Sequence, residues 1–271
     1  MASYLCKLFY LGNTYFGSQV QPGLRTVQGE LIDAVNRWSG ESHSTSSVQL
    51  GGRTDQGVHS IGQLVMIKTT KVLDLDAINR YLPTDITIWA SCQVSDEFRP
   101  RFDVLMRHYR YYLDTTGIEL DLPRMQLCAQ SLAGTHNFSR LSKRDGNRPT
   151  TTTILNVAVS QSDTTIIIDV YGTSFLWKLV RKIVTLLSGI GAGGVSPDAT
   201  RQLLGTEMAL PGGIRPAPAE CLVLMETVAP FDFHPSKYAI RRIRKATNAR
   251  LSLITRVTPT LHSIDSFFYH Q

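Results

Sequence analysis

The chain has 271 residues, of which 42% are hydrophobic, enough for one large domain or two small ones with a real core. Its formal net charge is +6, and 20 Arg against 8 Lys tilts the basic residues towards phosphate and base faces and away from a membrane surface. Cys6, Cys92, Cys128 and Cys221 form no C-x-x-C pair, and Lys178, Arg181 and Lys182 interrupt the most apolar stretch, so zinc, a disulfide framework and a bilayer span are not expected.

In chain order, a strand is predicted at residues 3–11, without the cleavage site of a secretory leader, then a loop at 12–24. A helix follows at 26–38, with Thr26 as N-cap. Strands at 48–50 and 61–69, a helix at 74–82 and strands at 86–94 and 104–114 complete the first half. The second half repeats the theme: a helix near 123–133, a basic loop at 140–153, strands at 154–160 and 164–171, and a helix at 174–190. A short helix at 197–204 and a strand at 221–228 follow. Strands and helices do not alternate as βαβ units, which predicts an α+β fold of two related lobes, 1–104 and 105–233, followed by a helical extension, 234–271.

The extension carries the whole charge excess. Seven basic residues and one acid, Asp265, lie from His234 onward, leaving twenty-one of each sign before it. Lys237, Arg241, Arg244 and Lys245 share one helical face, a candidate grip for RNA phosphates.

The sharpest local pattern is Gly51-Gly52-Arg53-Thr54-Asp55-Gln56-Gly57-Val58-His59, set between two strands. Glycines beside a carboxylate permit close approach of a substrate. Arg53, two residues before Asp55, is positioned to hold an ionised carboxylate, and an oriented Asp serves as nucleophile or base. Gly189-Ile190-Gly191-Ala192-Gly193-Gly194 satisfies the dinucleotide fingerprint literally, but a helix precedes it where a strand is required, so it is read as a helix C-terminus. The seven histidines lack ligand spacing, and neither metal nor cofactor is expected.

Gly-Arg-Thr-Asp-x-Gly-Val-His resembles the catalytic motif of the tRNA pseudouridine synthase A family. Other strings follow in family order: Phe16-Gly17-x-Gln19-x-Gln21-Pro22, Asn79-x-x-Leu82-Pro83-x-Asp85-Ile86, Phe98-x-x-Arg101-Phe102, Tyr109-Arg110-Tyr111 and Phe175-Leu176-x-x-x-Val180-Arg181. The resemblance implies the pseudouridine synthase fold, two α+β lobes sharing a mostly antiparallel sheet. It implies a homodimer acting on tRNA at anticodon stem-loop positions 38 to 40 without a cofactor, and with neither a leader nor a bilayer span expected the protein is read as cytoplasmic. Asp55 would be the nucleophile, Arg53 an aid to flipping and a partner of Asp55, Tyr109 the stacking platform, and Arg181 the clamp from the second lobe. Gln19, Gln21, Gly57, His59, Arg101 and Lys178 would line the substrate. Ser18 stands where the family usually has Trp, and Gln56 where it has Ala. Two rival readings are a silent RNA-binding relative or tRNA chaperone, and a metal-dependent nuclease built on Asp55, Asp74 and Asp76.

Overall fold

The computed structural model describes residues 1–204 and 213–269. Four strands come from the first half: β1 (Ala2–Tyr10), β2 (Val48–Leu50), β3 (His59–Thr69) and β4 (Ile86–Val94). They carry α1 (Val27–Ser39) and α2 (Leu75–Asn79) on one face. The Thr26 hydroxyl accepts from Gly29 N–H at 3.2 Å, and Gly40 closes α1 in the left-handed region, so α1 has the N-cap its sequence predicts. Leu8, Tyr10, Val65, Ile67, Ile86 and Ile88 pack beneath Leu31 and Val35, while Leu5, Leu64 and Met66 serve a smaller core on the opposite face. That is the period-two alternation of a sheet buried on both sides.

The second half supplies β5 (Met106–Asp114), α3 (Leu122–Gln130), β6 (Gly134–Asn137), β7 (Thr151–Ser162) and β8 (Thr165–Gly172). It continues with α4 (Leu179–Gly191), α5 (Asp198–Leu204) and β9 (Leu222–Val228). Ile166, Ile168 and Val170 alternate inward against Leu179, Ile183 and Leu187 of α4, forming the largest core. The strands make one ten-stranded sheet in the order β10-β4-β1-β3-β9-β5-β8-β7-β6, where β10 is His234–Pro235 and β2 pairs with β3 off this path. Among the described residues, all pairings are antiparallel except β3 with β9.

That parallel contact joins the two halves over two residue pairs, His59 with Val223 and Ser60 with Leu224. Gly62 makes it possible: a Cβ there would lie 2.4 Å from the Met225 carbonyl oxygen and 2.5 Å from Glu226 Cα. Buried Lys7 reinforces the joint by bonding Glu226 and the Thr227 carbonyl.

Helix α4 starts at Leu179, not at 174, because Lys178 sits at φ 64° and breaks the helical run. Residues 173–178 are thereby freed as a loop. The glycines after α4 end it, with Gly193 at φ 75° and its N–H on the Ile190 carbonyl, as the helix-terminus reading expects. The short strands β6 and β10 have no alternating pattern and were not legible in the sequence.

The chain continues into α6 (Lys237–Tyr269), a 33-residue helix about 50 Å long at 1.5 Å per residue. Its first turns dock on α2 and β4: Ala239 is fully buried, Ser236 Oγ donates to Asp76, and Arg242 Nη2 donates to the Leu82 and Pro83 carbonyls at 2.6 and 2.8 Å. Residues 248–267 are exposed throughout, including Ile254, Val257, Leu261 and Ile264. No helix among the described residues is long and apolar enough to cross a membrane.

Candidate active site

The segment 51–58 is a loop held mainly by its backbone. Arg107 Nη2 donates to the Gly51 carbonyl at 2.7 Å and Gln63 Nε2 to that of Gly52 at 3.0 Å. Ser18 holds Thr54 from both sides: its Oγ accepts the Thr54 N–H at 2.8 Å, and its own N–H donates to the Thr54 carbonyl at 3.1 Å. The serine that replaces the usual family residue is therefore a support of the motif loop. Gly57, at φ 87°, turns the chain where a Cβ would press on Ala219 at 3.1 Å.

With the loop fixed, the Asp55 side chain reaches the second half of the molecule. Arg181 Nη1 donates to Oδ2 at 2.8 Å, and Trp177 Nε1 donates to Oδ1 at 2.9 Å. Arg181 is itself clamped, its Nε donating to the Ala217 carbonyl at 2.6 Å and its own carbonyl accepting the Ala217 N–H at 3.0 Å. Both side chains of the ion pair are largely buried, at 23% exposure for Asp55 and 14% for Arg181, so the pair is screened less than a surface bridge. One face of the carboxylate is thus oriented by two donors from α4 and the loop before it.

Tyr109 on β5 lies beside this pair, buried, with its ring edge-on to Phe175 at 5.0 Å. Burial, helped by the neighbouring Tyr10 and Asp55, pushes its hydroxyl well above the usual phenol range, so it stays protonated and can donate.

Arg53 departs from expectation. It is exposed and forms no ion pair with Asp55 among the described residues; Arg181 and Trp177 take that place. Two residues along a loop need not face each other, and the loop aims Arg53 outward. Burial holds Arg101 below the usual guanidinium range, and the like charges of Arg148 and Arg53 add to this. Lys178 and Lys143 lie over the Trp177 ring at 5.7 and 4.0 Å.

His59 is committed within the protein. Its Nδ1 accepts the Gly12 N–H at 3.1 Å and Nε2 lies 3.0 Å from the Glu220 carbonyl, which makes Nε2 the protonated nitrogen. These bonds brace the motif loop against the turn at residues 12–14 and the segment leading into β9. Gln19 is exposed, and Gln21 Nε2 turns back to the Phe16 carbonyl. Asp74 caps α2 through the Ala77 N–H at 2.9 Å and Asp76 accepts from Ser236, so neither joins Asp55. Among the described residues no group of three or more His, Cys, Asp or Glu converges as a metal site, which removes the geometry the nuclease reading requires.

Sequence reasoning missed Trp177 and Arg148. Trp177 stands in a stretch read as helix, and only the left-handed turn at Lys178 swings its indole onto Asp55.

A carboxylate is thus fixed between the two α+β halves of one sheet, with a buried tyrosine beside it and cations around it. The family model for tRNA pseudouridine synthase matches residues 128–228. The "tRNA pseudouridine synthase A" of Methanosarcina barkeri is 38% identical over 251 residues, 90% of this chain and 92% of that one. Proteins of the same name from Methanothermobacter thermautotrophicus and Pyrococcus abyssi are 38% and 36% identical, each over 81% of this chain and 78% and 82% of theirs. Among solved structures, the archaeal box H/ACA sRNP Nop10-Cbf5 complex has a chain with a TM-score of 0.35 and 9% identity, covering 67% of this chain and 45% of its own. The chain belongs to the tRNA pseudouridine synthase A family, whose members are isomerases.

Proposed function

We propose that the protein isomerises uridine to pseudouridine in the anticodon stem-loop of tRNA, at positions 38 to 40, with Asp55 as nucleophile. The observation that carries this reading is the Asp55 carboxylate held by Arg181 and Trp177 beside buried Tyr109. A base inside a stem or loop is unreachable until it is turned out of its stack. Arg53, exposed next to Arg101 and Arg148, occupies the space the base leaves and contacts its phosphate. The turned-out uridine stacks on Tyr109, whose hydroxyl serves proton transfer. Asp55, oriented by Arg181, attacks the nucleotide and the glycosidic bond breaks; C5 of the uracil then joins C1′ as the bond to Asp55 is released, the C5 proton leaves and N1 takes one up. Gln19, Gln21, Gly57 and Lys178 border the same opening, and Lys237, Arg241, Arg244 and Lys245 hold more distant phosphates.

The active form in this reading is a cytoplasmic homodimer. The exposed α6 residues Ile254, Val257, Leu261 and Ile264, spaced three and four apart, support a helical seam between two copies. Sedimentation of the full chain tests it; a monomer at micromolar concentration refutes it.

Incubating the protein with unmodified tRNA transcript in a chelator, and mapping carbodiimide-dependent reverse-transcription stops, tests the activity. New stops in the anticodon arm support the reading. Bound but unchanged tRNA would identify a silent RNA-binding relative instead.

A further inference from the structure

Between α6 and the turn at residues 12–14 lies a cavity of about 610 Å³. Arg241, Arg242, Lys245 and Arg250 line it from the helix, and Leu11, Thr14 and Asp85 line the opposite wall. Asp85 is its sole acid and is already engaged, accepting from the Tyr15 hydroxyl at 2.6 Å and from Thr14 Oγ1 at 3.1 Å. Four cations therefore face one carboxylate in a single concave space, which leaves an excess of positive charge there. Arg242 adds an independent sign. Its Nη2 is fixed on the Leu82 and Pro83 carbonyls, which leaves Nε buried without an acceptor among the described residues. A buried donor left unpaired is costly, so the fold holds this guanidinium at the groove at its own expense.

We propose that this groove is a second RNA-binding site that takes the phosphodiester backbone of the substrate tRNA. It differs from a general basic face of the tail in its membership. Arg250 and Arg242 belong to it, whereas Lys237 faces a separate hollow by Asp74 and Asp76, and Arg244 lines neither. The groove is also tied to the motif loop. Its wall residue Leu11 precedes Gly12, whose carbonyl accepts the Gly57 N–H at 3.2 Å and whose N–H donates to His59 at 3.1 Å. The Arg250 charge is felt at His59 itself. A backbone seated here runs on towards Asp55 along the rim of the first lobe, so the two sites fix the register of one RNA.

The inference rests on the proposed activity on tRNA, and the test separates the two. Arg241→Gln/Lys245→Gln/Arg250→Gln removes three charges, leaving Arg242 to anchor the helix. Filter binding of unmodified tRNA transcript is measured across a salt series for the wild type, this triple variant and Lys71→Gln/Arg201→Gln/Arg256→Gln, which neutralises three exposed cations outside the groove. The slope of log affinity against log salt should fall by about 2 to 3 in the groove variant, since each lost phosphate contact removes roughly 0.7 to 0.9. The KM for tRNA should rise in step with Kd. Equal slopes in the groove variant and the wild type overturn the groove, as does an equal fall in the outside variant. A wild type that binds tRNA but forms no pseudouridine overturns the activity and leaves the slope comparison intact.

Discussion

Replacing Trp177 with Phe removes one of the two donors on Asp55 and little else. The indole N–H lies 2.9 Å from Oδ1, while Arg181 holds Oδ2 at 2.8 Å. Phe retains an aromatic surface beneath Lys143, which stands 4.0 Å over the ring. A hydrogen bond to an ionised acceptor contributes about 1.5 to 3 kcal/mol when well shielded. Trp177 is 40% exposed, so water competes for the carboxylate and the lower end, about 1.5 kcal/mol, applies. If that energy orients Asp55 for attack, the chemical step slows by about tenfold, at 1.36 kcal/mol per decade. Single-turnover conversion with enzyme in excess over tRNA isolates that step, and filter binding reports Kd separately. Because Trp177 and Arg181 act on one carboxylate, Trp177→Phe/Arg181→Met should lose less than the product of the single losses. A single-turnover rate equal to the wild type, or a defect confined to Kd, refutes the orienting role.

Asp55→Asn keeps the size of the side chain, leaves an acceptor for only one of the two donors and removes the nucleophile, so pseudouridine formation should vanish while tRNA binding persists; more than a few per cent of residual activity removes Asp55 from that role. Tyr109→Phe should preserve binding and lower turnover, and a fully active variant reduces Tyr109 to a platform. Gly62→Ala forces a Cβ against two backbone atoms of β9 and should cost about 2 kcal/mol or more, read as a lowered urea midpoint. For His59, burial lowers the folded pKa, so the unfolded chain takes up a proton first as acid is added. The stability it supports is complete above about pH 6.5 and is lost as pH falls through the depressed folded value. His59→Gln should flatten the urea midpoint over that window; an unchanged slope would assign the acid sensitivity to other groups.

The sheet and its helices were largely readable because long alternating runs such as Ile166, Ile168 and Val170 obey a simple period. Asp55 and Arg181 stood out through ordered motifs, and the geometry brings them together from positions 126 residues apart. What the chain order hid was orientation. Adjacency put Arg53 beside Asp55, but the loop turns it away, and no pattern marks the left-handed Lys178 that carries Trp177 inward. Ser18 looked like a loss of a family residue, and its value as a bracket for Thr54 becomes visible only when two distant loops meet. The tail read as one basic face through Lys237, Arg241, Arg244 and Lys245, yet the hollow where α6 crosses the edge of the first lobe is lined by Arg241, Arg242, Lys245 and Arg250.

The joint between β3 and β9 also sets the order in which the molecule can be made. Ser60 bonds the Leu224 carbonyl across 164 residues of chain, so the partner of the β3 edge leaves the ribosome long after the first half is complete. Closing so long a loop is entropically slow, and contacts of this separation belong to the late steps of folding. During that interval the first half carries an open strand edge, a template for pairing with another chain. Gly62 and Lys7, at the edge and beside it, offer a nascent neighbour a notch and a buried charge instead of a flat apolar strip. The newborn protein is most prone to aggregate in the interval before β9 arrives, and Asp55 meets Arg181 only in a chain long enough to close it.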